Sequence, residues 1–438
     1  MMRIVRLTTS NEKELLRARQ QRDADAERVA APIADDVRRR GDAALFAWTK
    51  KLDGIDLRRE GIWIPGRDLR VATKAVSSDF LRAVKHAARN VRRVAERQMP
   101  QPWTMEVEPG VKIGQLVRPI EPIGCYIPGG RHALVSTLVM TAVPAKVAGI
   151  NRIIAVCPKP SVELLAAANL LGVTEIARIG GAQAIAALAY GTQSIPRVDK
   201  IFGPGNRFVT AAKQLVSADC AIDLPAGPTE TVVLASRGDP QWIAADLVAQ
   251  AEHGPDAGSF LVTTSKTLAS KVQAAVAAQL ARLPGTSPAH KSIPRVGAIV
   301  LARSVQSACE FVNRFAPEHL SLPDKPHSLL KKLSASGTVF VGPFAAQPLG
   351  DYTTGSNHVL PTGAWARRRG GLSAADFVKC ISTQSISREG FARLAGDAQT
   401  LARVENLLAH ANLLRDRSKD IGRALRASRL ELRKKWSF

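Results

Sequence analysis

No apolar run in this chain is long enough to cross a membrane. The longest candidate, Leu134 to Ile150, is broken by Pro144 and Lys146, whereas a spanning helix needs about 20 apolar residues in succession. The N-terminal run Met-Met-Arg-Ile-Val-Arg lacks the apolar core of a signal peptide. Cysteine is scarce. Cys125, Cys157, Cys220, Cys309 and Cys380 lie far apart with no Cys-x-x-Cys pair, which argues against a disulfide framework or a cysteine zinc cluster. A cytoplasmic location is expected. Aromatic residues make up 5% of the chain and do not interleave with basic ones in the pattern that stacks bases. The dinucleotide fingerprint G-x-G-x-x-G is also missing.

What is present is a chain of 438 residues with 45% hydrophobic content, long enough for two or more ordinary cores. Acidic residues are outnumbered, 38 against 61 lysines and arginines, leaving a formal charge of +23. The basic residues are spread out, with local excesses at Arg38–Arg40, at Arg367–Arg369 and after Arg415. That distribution fits an enzyme drawing in anionic cofactors, and nucleic-acid binding is not expected as the main function.

Helical spacing through Val29, Ile33 and Val37 breaks near Arg40-Gly41-Asp42, and a second helix is predicted over Ser78 to Gln98. From Leu116 short apolar runs alternate with helical segments: Gly124–Tyr126, Ile153–Cys157, Glu175–Ile179 and Lys200–Phe202, then Thr231–Ala235, Ser259–Thr263, Gly297–Leu301 and Gly337–Val341. This grammar predicts an α/β fold with two Rossmann-like parallel-sheet lobes, plus an N-terminal arm and a helical C-terminal segment. The expected divisions are an arm with helices over 1–115, packing largely with the second lobe; a first lobe over 116–228; a second over 229–375; and a helical segment over 376–438.

Chemistry gathers in few places. Gln250 and His253, three apart at the end of a predicted helix, would share a face and offer an oxygen and a nitrogen to one metal ion. The competing reading is a helix end whose histidine caps the last carbonyls. Glycine turns near Gly129, Gly180 and Gly203 bring backbone N–H groups to strand ends where a nucleotide phosphate would sit, although each alone also reads as a tight turn. Glu318 and His319, after Pro317, form an acid and imidazole pair suited to proton transfer. The run Gly350 to Thr362 carries Asp351, Asn357 and His358 between glycines, as a binding loop or a solvated one. Glu405 and His410 lie on a predicted C-terminal helix, where His410 by itself reads as a core histidine. From the residues alone, the reading ends at a two-lobed α/β enzyme with a nucleotide in one lobe and a candidate site of histidine and carboxylate.

The combined motifs resemble the histidinol dehydrogenase family. The matching runs are Gly124-Cys-Tyr-Ile-Pro-Gly-Gly130, Gly180 through Thr192, Val198 through Asn206, Ile222-Asp-Leu-Pro-Ala-Gly-Pro-Thr-Glu230, Gln250-Ala-Glu-His253, Ala316-Pro-Glu-His-Leu320 and Gly350 through Thr362. The resemblance implies four-electron oxidation of L-histidinol to L-histidine through L-histidinaldehyde, using two NAD in turn, as the last step of histidine biosynthesis. It implies zinc held by Gln250, His253, Asp351 and His410, with Glu318 and His319 as the catalytic pair. Thr229, His358 and Glu405 match substrate-binding positions, as do His319 and the metal ligands themselves. Tyr126, Gln183 and Asn206 match NAD contacts. A homodimer is implied as well, in which the C-terminal segment crosses to complete the partner's site with Glu405 and His410.

Two departures stand out. Thr229 replaces the usual serine but keeps a hydroxyl, and Val216-Ser-Ala-Asp-Cys220 replaces a more glycine-rich run. The charge of +23 has no counterpart in the chemistry. Alternative readings are a paralogous zinc- and NAD-dependent dehydrogenase of another primary alcohol, and a basic nucleic-acid-binding protein on the same fold.

Overall fold

The computed structural model describes residues 1–17, 19, 23–129, 134–324 and 327–420. Gly130 of the first glycine turn and the basic tail beyond residue 420 lie outside the described residues. In chain order the strands are β1 (Arg3–Arg6), β2 (Trp103–Glu108), β3 (Val111–Pro119), β4 (Ile123–Tyr126), β5 (Ile153–Val156), β6 (Glu175–Ala177), β7 (Lys200–Phe202) and β8 (Ala221–Ile222). They continue with β9 (Glu230–Leu234), β10 (Gly258–Thr263), β11 (Ala298–Leu301), β12 (His319–Leu322), β13 (Thr338–Val341) and β14 (Val378–Ile386). The chain divides into two compact units, residues 1–99 with 119–377, and residues 100–118 with the described residues from 378 onward.

The first unit holds two parallel sheets. One runs in the order β6-β5-β4-β7-β8, the other β1-β11-β10-β9-β12-β13. Apart from the edge strand β1, in each the chain runs outward one way from a central strand and returns to the other side. The order therefore reverses between β4 and β7 in the first sheet and between β9 and β12 in the second. Such switch points are where α/β sheets open a crevice for ligands.

Sequence explains the layers. Strands β5 and β10 are buried along their whole length, as expected of parallel strands covered by helices on both faces. Alternation sends Val233, Leu261 and Ile299 to one face of the second sheet, where they pack with Leu247 and Val272 of the covering helices. Val232, Phe260 and Val300 go to the opposite face and meet Phe311 and Phe315.

The N-terminal region departs from expectation. β1 extends the second sheet through β11, and Leu15 joins the core on that side. The helices that follow pack on the first lobe instead. Helix Ala24–Arg40 lies against helices Gly181–Tyr190 and Arg207–Val216, helix Gly66–Ala75 against Val162–Leu171, and helix Ser78–Gln98 against Val135–Val147. The reason is shape: the small residues Ala26, Ala30 and Ala34 meet the alanines of Gly181–Tyr190 at close range in one core. Residues 100–118 belong to the second unit.

The second unit contains a three-stranded sheet, β14-β3-β2, followed by helix Arg388–Val404 and helical residues from 408 to 420. The segment expected to be helical from 376 thus opens with a nine-residue strand whose burial is confined to Val378. Exposure on both faces removes the apolar alternation by which a strand is recognised. Among the described residues, no helix is long and apolar enough to cross a membrane.

Candidate active site

The catalytic candidates meet at the amino edge of the second sheet. Thr229 precedes β9, Glu318 precedes β12, and parallel pairing sets His319 opposite Thr231. Glu318 Oε2 accepts from Thr229 Oγ1 at 2.5 Å and from the Glu230 backbone N–H at 2.9 Å. The ring of His319 places Nδ1 3.3 Å from the Glu230 carbonyl and 3.6 Å from Glu318 Oε2. A carbonyl only accepts, so the proton belongs on Nδ1 and Nε2 is left as the basic nitrogen. That Nε2 is buried without a hydrogen-bond partner, 3.8 Å from Asp351 Oδ1.

Electrostatics follow from burial. Glu318 and His319 are 6% and 4% exposed. Desolvation pushes the Glu318 carboxyl up to about 7, although His319, Thr229 and the Glu230 N–H all favour its ionised form. Burial opposes a charged His319 ring, but Glu318 and then Asp351 outweigh it and raise its pKa. The pair is therefore poised to hold or release a proton near neutrality.

A line of polar groups runs outward from this pair. Gln250 Nε2 donates to Thr229 Oγ1 at 2.7 Å, and Gln347 Nε2 donates to Gln250 Oε1 at 2.5 Å. Gln250 sits in the last turn of helix Pro240–Ala251 and is buried, with His253 in the turn just beyond and exposed at the rim. Loss of water on the protein side of the His253 ring lowers its pKa; Asp351 opposes that shift and His319 adds to it. Asp351 comes from the short helix Gln347–Tyr352, and its carbonyl lies 2.8 Å from His358 Nδ1. The loop carrying His358 is anchored by Asn357 Nδ2, which donates to the Met140 carbonyl at 2.7 Å. Gly355 adopts φ 98° where a Cβ would press into the Asn90 carbonyl at 2.5 Å, so only glycine allows the loop this close to helix Ser78–Gln98.

Five of the expected residues, Thr229, Gln250, Glu318, His319 and Asp351, are thereby linked by direct contacts, with His253 and His358 beside them. Glu405 and His410 belong to the second unit, where both are exposed. Among the described residues, no three His, Cys, Asp or Glu side chains are set to hold a metal. Composition accounts for this: of the four expected ligands, only His253 and Asp351 are such residues within the first unit, and Gln250 is an amide. The donors nevertheless suit zinc, being one imidazole, one carboxylate and one amide oxygen. Gln347 Oε1, beside Gln250, is buried with no partner.

The cofactor candidates lie at the carboxyl edge of the other sheet. Tyr126 ends β4, its hydroxyl accepting from the Gly181 N–H at 3.1 Å, and burial raises that hydroxyl to about 12, so it stays protonated. Gln183, in the first turn of helix Gly181–Tyr190, is fully buried and donates to Asp53 Oδ2 at 2.9 Å. Asn206 is exposed and caps helix Arg207–Val216 by accepting from the N–H groups of Phe208 and Val209. Beneath the turn, Gly203 takes φ 111°, where an added Cβ would run into the Tyr126 carbonyl.

Sequence reading missed several supports. Lys213 and Asp223 form a buried ion pair under the Gly203 turn: Lys213 Nζ donates to the Gly203 carbonyl at 2.9 Å and to Asp223, and Asp223 accepts from the Gly203 N–H at 2.7 Å. Arg19 forms a buried pair with Glu230, whose backbone holds both Glu318 and His319. Only Gln347 left a local signal, four residues before Asp351 on one helix.

A family model described as Histidinol dehydrogenase matches residues 16–418. A histidinol dehydrogenase of Aquifex aeolicus is 42% identical over 400 residues, covering 91% of this chain and 94% of that protein. One from Methanothermobacter thermautotrophicus is 42% identical over 407 residues, covering 90% and 95%. The crystal structure of histidinol dehydrogenase from Elizabethkingia anophelis is 35% identical, with a TM-score of 0.90 over 96% of this chain and 99% of that one. The chain belongs to the histidinol dehydrogenase family, oxidoreductases that act on histidinol in histidine biosynthesis.

Proposed function

We propose that this protein converts L-histidinol to L-histidine through L-histidinaldehyde, using two NAD in turn and one zinc ion, as the last step of histidine biosynthesis in the cytoplasm. The observation that carries the reading is the buried Glu318–His319 pair, joined through Thr229 to Gln250 and facing Asp351. When bound, zinc would orient the substrate and stabilise negative charge on its oxygen, and NAD would accept hydride.

The chain's own groups do the rest. His319 Nε2, unpartnered and basic, takes the hydroxyl proton of the alcohol as hydride leaves its carbon. Glu318, held near neutrality, takes a proton from the water that adds to the aldehyde, giving the hydrate from which the second hydride departs. Gln250, His253 and Asp351 supply zinc ligands from the first unit. Thr229 and His358 contact the substrate, and Tyr126, Gln183 and Asn206 contact NAD. A homodimer completes each site with Glu405 as a substrate contact and His410 as both fourth zinc ligand and substrate contact, delivered by the partner. The exposed apolar residues of the second unit, among them Leu401 at 65%, Val404 at 76% and Leu408 at 65%, support a surface that packs on another copy.

The test is the NADH yield per L-histidinol with zinc present. About two supports the four-electron reading by its stoichiometry. A yield of one means that the aldehyde escapes, and no NADH refutes the proposal.

A further inference from the structure

Asp53 closes helix Asp42–Asp53, outside both sheets, yet its carboxylate reaches the carboxyl edge of the first one. It accepts from Gln183 Nε2 at 2.9 Å. Its charge is felt by Tyr126 at the end of β4 and by Cys157 just past β5, and Lys159 acts on it in turn. Asp53 therefore contacts the helix that follows the third strand and lies near the ends of the first two. In dinucleotide-binding sheets this is the ground of the adenosine ribose. There an acidic residue beyond the second strand commonly receives the ribose 2′-hydroxyl, and a basic one accommodates a 2′-phosphate. Here the second strand runs out as Val156-Cys-Pro-Lys159-Pro, a lysine and no acid. Gln183 Oε1, next to Asp53, is buried and has no partner.

We propose that Asp53 selects NAD over NADP, its carboxylate accepting from the adenosine ribose hydroxyls and repelling a 2′-phosphate. The inference rests on the NAD reading above and adds the residue that decides which nicotinamide cofactor is taken. Lys159 lies exposed beside it, so removal of the Asp53 charge leaves a cation free to receive the phosphate. An acceptor supplied from a neighbouring helix does the work that the second strand's end does elsewhere.

The test is calorimetric titration of the zinc-loaded parent, Asp53→Ala and Asp53→Asn with NAD, NADP and ADP-ribose, beside kcat/KM for both cofactors. The parent should bind NAD at least about tenfold tighter than NADP. Asp53→Ala should lose about tenfold or more in affinity for NAD and for ADP-ribose, the latter assigning the loss to the adenosine side. Asp53→Asn keeps hydrogen-bonding capacity without charge. It should hold NAD within a few-fold of the parent while gaining affinity for NADP. A parent that takes both cofactors equally, or an NAD-to-NADP ratio unchanged in both variants, overturns the role of Asp53 while leaving NAD use intact. A parent that binds neither nucleotide overturns the cofactor reading itself, and this inference with it.

Discussion

Lys213 offers a sharp test of how the Gly203 turn, part of the proposed cofactor site, is held. Its side chain is 2% exposed and that of Asp223 is fully buried. The three ammonium protons are satisfied by Asp223 and by the carbonyls of Gly203 at 2.9 Å and Leu224 at 3.0 Å. Asp223 in return receives the Gly203 N–H at 2.7 Å and the Leu224 N–H at 2.5 Å. Lys213→Met removes one charge and strands the other away from water, which should cost about 3–5 kcal/mol of stability. The double replacement Lys213→Met with Asp223→Leu removes both charges. Stability should then recover to within about 1–2 kcal/mol of the parent, since apolar side chains commonly replace buried pairs at little cost. The Gly203 turn, however, loses its brace in either case. Urea unfolding reads the first effect, and calorimetric NAD affinity reads the second. A double variant that is stable and binds NAD as the parent does would refute the claim that the pair positions this turn. A Lys213→Met variant losing less than about 1 kcal/mol would refute the burial itself.

Three further outcomes are expected. Glu318 has its carboxyl raised from 4.5 to about 7, so conversion of aldehyde to acid should rise with pH through about 7 and level off above it. Glu318→Gln should abolish that limb and slow the step by about 10²–10⁴-fold, and an unchanged pH–rate profile would exclude Glu318 as the base. The raised value also sets a sign for stability: the buried neutral carboxyl is favourable below its ordinary 4.5, and that contribution is lost as pH rises through about 7. Melting curves should therefore show Glu318→Gln gaining on the parent between about pH 5 and pH 8. Arg19→Met leaves the Glu230 carboxylate buried beside the backbone that holds Glu318 and His319; kcat should fall more than KM rises, and Arg19→Lys should restore part of it. Mixing His410→Ala chains with Gln250→Ala chains should restore some activity through one intact shared site, and heterodimers with none would argue against sharing.

Local patterns made much of the fold readable. Strands β4, β5 and β7 each end in a glycine or proline turn before an apolar helix, and Ser77 marks the start of helix Ser78–Gln98 by accepting from the Phe80 N–H. Glu318 and His319 are adjacent in sequence, so their pairing needed no tertiary knowledge. Gln250 and His253 were legible as helical neighbours, but the burial of Gln250 was not, because its partners Thr229 and Gln347 come from distant segments. The Arg19–Glu230 pair joins positions over two hundred residues apart, which no periodicity reports. β2 failed to show because all six of its residues are exposed, and a strand without a buried face carries no alternation to read.

The two candidate sites use opposite ends of their sheets, and this has an electrostatic reason. At the carboxyl edge of the first sheet, helices Gly181–Tyr190 and Arg207–Val216 begin, and the positive end of a helix dipole favours an anion such as a pyrophosphate. At the amino edge of the second sheet, helix Pro240–Ala251 ends, and its terminal carbonyls favour a cation beside Gln250 and His253. Thr229 and Glu318 sit at this edge because they precede β9 and β12, so they face the helix end rather than its beginning. Chain direction thus gives the first lobe's edge a preference for anions and the second lobe's edge one for cations, as the proposed NAD and zinc sites require, before any particular side chain is considered. The side chains are consistent with that proposal: Asp351 stands near His253 in the second lobe, and Asn206 caps a helix start in the first.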